Sequence, residues 1–450
     1  MYPRYEQYQD SGVAWLGEVP SHWEVKRLRF VLEVNPVKSE LNLPDETTVS
    51  FIPMDAVNFD KNLTLTQEKS LDEVYKGYTF FRDNDVLLAK ITPCFENGKS
   101  AIAQNLTNGI GFGTTELHVL RANGQFNNHF LYYLLKTDLF MKLGESQMYG
   151  AGGQKRISEE FIKNFSLGIP PLPEQTTIAA FLDCKLAQID ALISKQETLL
   201  TKLAEKRTAL ITHAVTRGLN PAAPLKPSGV ARLGEVPQHW EIVKNKFILD
   251  FSKGLTITKE NLVDDGIPCV NYGEIHSKFG FEVIPERDDL KCVAEDYLQT
   301  TPTALLKNGD FVFADTSEDI KGSGNFTYLN SEISTFAGYH TIIARPDRQK
   351  VVPRFLAYMF DSDAHRNQVR AMVKGVKVFS VTQAFLKNTF AWLPPLPEQT
   401  AIAHYLDTQT AQIDALSNKI RQTIARLQEY RRTLITQAVT GKIKVIGENR

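Results

Sequence analysis

The sequence has little net charge, no clustered cysteines and no long apolar run. Its 450 residues include 51 Lys and Arg against 52 Asp and Glu, a formal net charge of −1. This balance excludes a histone-like protein that binds nucleic acid through bulk positive charge, but it leaves room for local basic patches. Hydrophobic residues at 42% and charged residues at 23% exclude a disordered chain. A chain longer than about 250–300 residues is expected to form two or three domains.

The four cysteines are scattered and form no CxxC pair; they are Cys94, Cys184, Cys269 and Cys292. A structural zinc site needs clustered thiolates or imidazoles, and a disulfide framework is typical of short secreted chains. The first residues lack the basic and then apolar layout of a signal peptide, and there is no apolar run of about 18 residues. We therefore expect a cytoplasmic protein with reduced thiols and no transmembrane helix.

Short motifs of common catalytic sites are also missing. The sequence contains no GxxxxGK[ST] phosphate loop, no GxGxxG, no HExxH, no GxSxG, no zinc-deaminase pattern and no Asn/Asp-Pro-Pro-aromatic tetrapeptide. One weak nuclease-like match combines Pro285 and Glu286 with Asp319 and Lys321, and ordinary loop charges are the simpler interpretation. The absence of these catalytic motifs favours a recognition or scaffold protein.

What the sequence does contain is an internal repeat. Residues 11–24 (SGVAWLGEVPSHWE) and 228–241 (SGVARLGEVPQHWE) are identical at 12 of 14 positions, and residues 170–217 and 394–441, both beginning PPLPEQ, at 27 of 48. The segments between these anchors share little. His22 and His239 recur beside Trp23 and Trp240, which favours structural groups over metal ligands. One repeated frame therefore holds two divergent inserts.

Short strands and helices are expected within the inserts. The strand candidates are β-branched or apolar and are bounded by Gly, Asn or Pro. They are Asp85–Ile91, Leu117–Arg121, Asp310–Ala314 and Thr341–Ala344, with helices expected at Leu131–Leu143 and Pro353–Met372 and a proline-rich linker at 218–227.

The two PPLPEQ repeats predict long helices that begin near Pro173 and Pro397, with Glu174 and Glu398 in the first turn. Each runs about 44 residues without Gly or Pro, roughly 65 Å of helix. Apolar residues at heptad spacing predict a coiled-coil seam, although separate packing of each helix on its own domain is an alternative. The seam residues are Leu182, Ile189, Ile193, Leu200, Leu203, Leu210, Leu406, Ile413, Ile420, Ile424, Leu427 and Leu434.

These features predict an α+β fold: two mixed α/β domains, joined and separated by two long helices in an antiparallel coiled coil, with an internal pseudo-two-fold repeat. The expected segments are domain 1 at 1–169, helix 1 at 170–217, a linker with domain 2 at 218–393, helix 2 at 394–441 and a tail at 442–450. A pseudo-two-fold protein matches two half-sites on duplex DNA at a spacing that the protein sets.

The repeated PPLPEQ motif heading a helix that runs through IDAL to LIT-x-AVT, together with the twice-occurring SGVxxLGEVPxHW motif, resembles the specificity (S) subunit of Type I restriction–modification systems. The order of the motifs matches over nearly the whole chain. The resemblance implies two target recognition domains, each reading one half of a bipartite, asymmetric site in double-stranded DNA, and a helical spacer that sets the gap.

The resemblance also implies that the chain itself is no enzyme and binds no cofactor. Two methyltransferase (M) subunits would bind S-adenosylmethionine and methylate adenine, and two restriction (R) subunits would use ATP and Mg²⁺. No membrane partner is implied. Leu199 and Ile211, outside the seam, are candidate contacts for the M subunits.

Base reading requires polar side chains on loops that reach the major groove. Glycines in these loops would allow a close approach of the backbone to DNA. The candidates are Lys90, Thr92, Glu96, Lys99, Thr114, Thr115, Glu116, Gln154, Lys155 and Arg156 in the first domain, and Thr316, Ser317, Glu318, Lys321, Tyr339, His340, Lys374 and Lys377 in the second.

Neither recognition domain is basic overall, since residues 1–169 carry −4 and residues 218–393 carry −1. The stretch 345–377 has a local charge of +5, which suggests a face that contacts phosphates without specifying sequence. Its basic residues are Arg345, Arg348, Lys350, Arg354, Arg366, Arg370, Lys374 and Lys377. We expect the M subunits to supply much of the electrostatic attraction to DNA.

Three other interpretations remain open. One is the specificity subunit of a combined methylase–nuclease system, in which the partners are organised differently. Another is a nuclease built on Pro285, Glu286, Asp319 and Lys321. The third is a structural coiled-coil adaptor that does not read DNA.

Overall fold

The computed structural model describes residues 2–58, 61–151, 153–375 and 377–445. The chain divides into two compact units, which we call unit 1 (Met1–Glu197 with Arg421–Arg450) and unit 2 (Thr198–Ile420). Both divisions fall inside the long helices. Each unit therefore combines one of the expected recognition domains with part of both helices.

Unit 1 contains two four-stranded sheets, in the orders β6-β5-β10-β7 and β4-β11-β8-β9, and two strand pairs, β1-β2 and β3-β12. Among the strand pairs of the described residues of unit 1, only β5 and β10 pair in parallel. The strands are β1 (Tyr8–Asp10), β2 (Glu18–Pro20), β3 (Glu24–Arg27), β4 (Leu32–Val34), β5 (Thr48–Ile52), β6 (Glu68–Ser70), β7 (Thr79–Arg82), β8 (Val86–Ala89), β9 (Ser100–Ile102), β10 (Ile110–Gly113), β11 (Leu117–Ala122) and β12 (Ser166–Ile169). The helices are α1 (Leu71–Tyr75), α2 (Asn128–Leu135), α3 (Asp138–Ser146), α4 (Glu159–Asn164) and the long α5 (Leu172–Arg217), which continues into unit 2.

Strand β8 is apolar at every position because both of its faces are covered. Val86 and Leu88 belong to the core that also includes α2 and α5. The alternate residues Leu87 and Ala89 belong to a second core, with Ile52 and Phe81 of the neighbouring sheet. Because successive side chains of a strand point to opposite faces, a strand covered on both sides must be apolar throughout.

Unit 2 repeats this design with a five-stranded sheet, β16-β25-β21-β23-β18, and a four-stranded sheet, β19-β17-β24-β20. Phe311 and Phe313 of β21 face the helices, whereas Val312 and Ala314 face the other sheet. The strands are β13 (Leu225–Pro227), β14 (Glu235–Pro237), β15 (Glu241–Lys244), β16 (Leu249–Lys253), β17 (Ile267–Val270), β18 (Glu282–Val283), β19 (Cys292–Val293), β20 (Leu305–Leu306), β21 (Phe311–Ala314), β22 (Thr316–Ser317), β23 (Phe326–Leu329), β24 (Thr335–Ala337), β25 (Thr341–Pro346), β26 (Phe379–Ser380) and β27 (Phe390–Leu393). The helices are α6 (Tyr272–Ser277), α7 (Tyr297–Thr300), α8 (Pro353–Asp361), α9 (Asp363–Met372), α10 (Gln383–Asn388) and the long α11 (Leu396–Val439).

All four predicted strands are present, as β8, β11, β21 and β25. The two segments that were predicted to be helical are helical, but each consists of two helices, α2 with α3 and α8 with α9. Thr137 caps the start of α3, where its hydroxyl accepts a hydrogen bond from the backbone of Phe140. Ser362 does the same between α8 and α9, accepting from His365. A hydroxyl side chain competes with the helical backbone and starts a new helix in another direction.

The 218–227 segment is only partly a linker. Its last residues form β13, which pairs with β14 in the second copy of the SGVxxLGEVPxHW motif. Lys226 also donates through its Nζ to the backbone oxygen of Trp240 at 2.6 Å. The equivalent contact in unit 1 runs from Gln9 to the backbone oxygen of Trp23 at 2.8 Å.

The long helices pack against each other inside each unit. In unit 1 the first part of α5 shares a core with the last part of α11, including Leu182 and Leu434. In unit 2 the last part of α5 shares a core with the first part of α11, including Ala214 and Leu406. The pairing of opposite ends is that of an antiparallel helix pair, as predicted.

The polar contacts between the helices repeat as well. Arg431 lies 3.0 Å from Asp190 in unit 1, and Arg207 lies 3.7 Å from Asp414 in unit 2. All twelve predicted seam residues are buried or half-buried. Leu199 is exposed, but Ile211 is 2% exposed within the core of unit 2. Ile211 is therefore unavailable for the partner contact expected of it.

The PPLPEQ motif fixes the start of each long helix to its recognition domain. In unit 1 the fully buried Gln175 accepts a hydrogen bond from the backbone of Asn127 at 2.8 Å and donates to the backbone oxygens of Gln125 and Pro170. Gln399 makes the equivalent contacts in unit 2, accepting from Val352 at 2.7 Å. The repeated glutamine thus joins the start of each long helix to a segment 47–50 residues earlier in its recognition domain.

The glutamate of the same motif explains the repeated His-Trp pair. Glu174 lies 2.8 Å from the Nε2 of His22 and accepts from the indole of Trp23 at 3.2 Å. Glu398 makes the corresponding contacts at 2.7 Å and 3.2 Å, with His239 and Trp240. The prediction that these histidines are structural groups is consistent with both arrangements.

Candidate nucleic-acid interface

Three loops that the sequence predicts to face DNA meet at one edge of unit 1. The backbone N–H of Lys90, just after β8, donates to the backbone oxygen of Glu116 at 2.9 Å. The N–H of Ile157 donates to the oxygen of Lys90, and that of Thr92 to the oxygen of Lys155, both at 2.9 Å. The segment after β8, the segment before β11 and the glycine-rich loop at 149–158 therefore form one continuous hydrogen-bonded edge.

An ion pair lies at the centre of this edge. The Nε and one terminal nitrogen of Arg156 each lie 2.9 Å from an oxygen of Glu116, and the other terminal nitrogen donates to the backbone oxygen of Gln154 at 3.2 Å. The hydrogen bond with Arg156 lowers the pKa of Glu116, and the same bond raises the pKa of Arg156. Glu116 is therefore ionised and Arg156 charged at neutral pH.

The remaining candidates of unit 1 surround the pair with different degrees of exposure. Thr115, Gln154 and Lys155 are exposed, and Lys90 is half-buried. Two threonines form local hydrogen bonds: the hydroxyl of Thr92 donates to Glu96 at 3.1 Å, and the hydroxyl of Thr114 accepts from the backbone of Glu116 at 3.2 Å. Lys99, just before β9, is half-buried.

Unit 2 forms an edge with the same backbone pattern. The N–H of Asp315 donates to the oxygen of His340 at 3.0 Å, and the N–H of Val381 donates to the oxygen of Asp315 at 2.8 Å. Asp315, His340 and Val381 thus occupy the places of Lys90, Glu116 and Ile157. The short strands β22 and β26 complete the edge.

The chemistry of the second edge differs from that of the first. The ring Nδ1 of His340 lies 3.2 Å from a carboxylate oxygen of Asp315, and the His340 side chain is 58% exposed. Tyr339 is half-buried, with its ring 5.6 Å from that of Tyr272. Ser317 is 5% exposed, which leaves little of it to contact a ligand. Thr316 is half-buried and its backbone oxygen accepts from His276 at 2.8 Å.

The predicted basic residues of α9 make internal contacts. Arg366 has 12% of its side chain exposed and binds Asp361 and Asn325 at 2.9 and 2.6 Å. Arg370 donates to the backbone oxygen of Lys321 at 2.8 Å, and burial lowers its pKa. Lys321, Lys374 and Lys377 have exposed side chains, as does Glu318.

The expected phosphate-contacting face over 345–377 is not one surface. Arg345 pairs with Asp310 at 3.1 Å and donates to the backbone oxygens of Thr303 and Leu305. Arg354 on α8 pairs with Glu282 and Asp407, and hydrogen bonds to these carboxylates overcome burial and raise its pKa. These charges lie on different elements and bind different carboxylates. Their closeness in sequence therefore does not bring them onto one surface.

Two segments that border the edges were not predicted from the sequence. In unit 1 a cavity of about 530 Å³ is lined by residues 35–39, Tyr78, Lys90 and Thr115. In unit 2 a cavity of about 610 Å³ is lined by residues 253–257, Tyr339 and His340. Both segments follow the first strand of their sheet, β4 or β16, and they share no sequence pattern that could have identified them.

The weak nuclease match does not form a cluster. Glu286 accepts from Ser331 at 2.7 Å, and Asp319 accepts from the backbone of Gly322 at 2.6 Å. Within the described part of the chain, no group of three or more His, Cys, Asp or Glu side chains is placed to hold a metal ion. In that same part, no helix is both long enough and apolar enough to cross a membrane.

Two relatives from Escherichia coli are similar to part of this chain. The EcoEI specificity subunit is 39% identical over 205 residues, which cover 43% of this chain and 34% of the relative. The EcoAI specificity subunit is 46% identical over 164 residues, which cover 36% and 27%. These matches thus span about a third or less of the relatives' length. The MjaVIII specificity subunit of Methanocaldococcus jannaschii is 24% identical over 96% of this chain and 95% of its own.

Two solved structures share the fold. One comes from a study of complex assembly and conformational transition in a type I R-M system, with a TM-score of 0.73, 19% identity and coverage of 94% of this chain and 98% of that chain. The HsdS subunit of Thermoanaerobacter tengcongensis has a TM-score of 0.58 at 18% identity and the same coverage. The family described as "Type I restriction modification DNA specificity domain" matches residues 20–202 and again 237–426. The chain therefore belongs to this family and carries its domain twice.

Proposed function

We propose that this chain is the non-catalytic DNA-recognition subunit of a Type I restriction–modification complex, in which each unit reads one half of a bipartite site. One observation carries the proposal: the same hydrogen-bonded edge occurs in both units with different side chains. Lys90, Glu116 and Arg156 mark the edge of unit 1, whereas Asp315 and His340 mark that of unit 2. A shared backbone with different donors and acceptors supports two half-sites of different sequence.

The long helices would set the gap between the half-sites. Each unit holds its own part of both helices through a buried seam and an interhelical ion pair. A helix is a stiff connection with a fixed rise of about 1.5 Å per residue, so its length would define the spacing that both edges accept.

Two M subunits and two R subunits would complete the complex. The repeated frame supports a partner that is present twice, because it forms two equivalent grooves of about 430 and 460 Å³. Their shared lining consists of a His, a Glu, two Pro and a Leu: His22, Glu24, Pro170, Pro171 and Leu172 in unit 1, and His239, Glu241, Pro394, Pro395 and Leu396 in unit 2.

The chemistry would belong to these partners in the cytoplasm. S-adenosylmethionine would bind the M subunits, and ATP and Mg²⁺ the R subunits, with no cofactor on this chain. The remaining alternatives make different predictions. A nuclease would cleave DNA alone with Mg²⁺, and an adaptor would give no sequence-selective protection of DNA.

Methylome mapping tests the proposal directly. A methylation-free host expresses the cognate M subunit with or without this chain, and adenine methylation is mapped over the genome. We expect methylation of one bipartite, asymmetric motif only when this chain is present. Methylation that is independent of the chain, or that follows a single continuous motif, would contradict the proposed function.

A further inference from the structure

The guanidinium of Arg156 is held in one orientation. Three of its five N–H groups are directed to acceptors of the protein, two to Glu116 and one to the backbone oxygen of Gln154. The backbone of Arg156 is also fixed, since it exchanges two hydrogen bonds with Tyr149 at 2.8 and 3.1 Å and bridges to Ile91. About 35% of the side chain is exposed. Two N–H groups thus remain for a ligand outside the edge.

The pair with Glu116 decides what kind of ligand Arg156 fits. The carboxylate largely cancels the positive charge of the guanidinium, so the pair attracts a phosphate weakly. The remaining donors keep their direction, and a planar, pre-oriented fork suits a partner with two adjacent acceptors. In the major groove of duplex DNA, the O6 and N7 of guanine are such a pair of acceptors. Both oxygens of Glu116 already face Arg156, which makes Glu116 a poor reader of cytosine.

We propose that Arg156 reads a guanine in the half-site recognised by unit 1, with Glu116 as the residue that positions it. The inference rests on the proposed function, since it assigns one base contact within that site. The two remaining N–H groups of Arg156 donate to the O6 and N7 of the guanine. Ordering by Glu116 reduces the side-chain entropy that the long arginine loses on binding.

Unit 2 offers a matched position without this chemistry. The bridge between Ile91 and Arg156 corresponds to the pairing of Thr316 with Ser380, so that Ser380 occupies the place of Arg156. Ser380 is exposed, and its short hydroxyl has no bidentate donor to offer. The assigned guanine contact therefore belongs to one half-site only, and a Ser380→Ala variant is a natural control.

The test uses the complex of this chain with its M subunit and a duplex that contains the mapped motif. Each guanine of the motif is replaced in turn by 7-deazaguanine, which lacks the N7 acceptor, and binding is measured for the parent, Arg156→Gln and Ser380→Ala complexes. At one guanine we expect the replacement to weaken binding by the parent and Ser380→Ala complexes about 5- to 150-fold. The Arg156→Gln complex should bind the duplex with guanine and the duplex with 7-deazaguanine at that position equally well.

The Glu116→Gln variant separates positioning from a merely structural role. This variant keeps the shape of the side chain and loses its charge. We therefore expect a smaller difference in binding between guanine and 7-deazaguanine at that same position. The corresponding differences at other guanines, and the melting temperature, should stay close to those of the parent. A motif in which no guanine behaves this way would overturn the inference, although a bipartite motif would still support the proposed function. If Arg156→Gln fails to fold, the parent complex alone still tests the assignment. The assignment is overturned if binding of the parent complex is weakened by none of the 7-deazaguanine replacements.

Discussion

The hydroxyl of Tyr358 on α8 donates a hydrogen bond to a carboxylate oxygen of Asp407 on α11 at 2.6 Å. Unit 1 repeats this contact between Tyr133 on α2 and Asp183 on α5. The two aspartates belong to the repeated helices, but the two tyrosines belong to the divergent inserts. The contact therefore joins each recognition domain to the long helices in the same way.

Replacing Tyr358 with Phe should destabilise unit 2 by about 1 kcal/mol, because the Asp407 carboxylate, whose side chain is 39% exposed, loses one hydrogen bond and replaces it in part with water. Burial and then the bond to Asp407 raise the pKa of Tyr358 to about 12, so the neutral hydroxyl is the relevant donor at neutral pH. Denaturant unfolding measures the loss. Tyr405→Phe, at a position of α11 that is 36% exposed, is the control. Equal stability of the two variants would show that the Tyr358–Asp407 bond contributes nothing.

Unit 2 should lose stability in mild acid. His365 is fully buried, its ring centre lies 4.5 Å from that of Phe360, and burial followed by the charge of Arg366 lowers its pKa from 6.5 to about 3. Between these values the unfolded chain binds a proton that the folded chain does not, so stability falls as pH drops below about 6.5. The expected loss from this group is about 2 kcal/mol at pH 5.

Thermal unfolding of the parent protein and of His365→Gln between pH 7 and pH 5 measures this effect as a difference. The variant should show a shallower fall in stability, since one buried titrating group has been removed. His213→Gln, changed at an exposed position of α5, serves as the control. Parallel pH profiles for the parent and His365→Gln would refute the assignment to His365.

Helix length should control the gap in the DNA site. Seven residues inserted after Glu197 and seven after Ile420 fall at the division between the units and leave each edge intact. Two added helical turns lengthen each helix by about 10 Å, which corresponds to about three base pairs of duplex. Methylome mapping should return the same two half-sites with a longer gap. Altered half-sites with an unchanged gap would contradict the spacer role of the helices.

The two repeated grooves should each hold one copy of the same partner. Leu172 and Leu396 are 40% and 37% exposed in these grooves. A charged residue there opposes burial of an apolar surface. Leu172→Glu or Leu396→Glu alone should reduce the number of bound M subunits from two to one, and the double variant should bind none. Native mass spectrometry of the copurified complex counts the copies. Leu43→Glu, at an exposed loop position, should retain both, and full occupancy in the double variant would exclude the grooves as docking sites.

Much of the frame could be predicted from the sequence because identical residues recur at identical spacing. The heptad pattern predicted the seam between the long helices, and short apolar runs bounded by Gly, Asn or Pro predicted the four strands. The broken insert helices were not predicted, because a single hydroxyl at Thr137 or Ser362 redirects the chain within an apolar run. Ile211 was misassigned because its burial depends on packing in unit 2 and not on its heptad position.

The candidate interface was likewise predictable only in part. The sequence by itself determined that two divergent domains sit in one repeated frame and which glycine-bounded, polar loops they carry, since these features depend on neighbouring residues. Only the tertiary structure decided which charges remain available. Arg156 meets Glu116 across 40 residues and keeps an exposed edge, whereas Arg354 meets Glu282 across 72 residues and binds within the protein. A charged side chain takes its role from the acceptors that folding brings to it, and those come from distant parts of the chain.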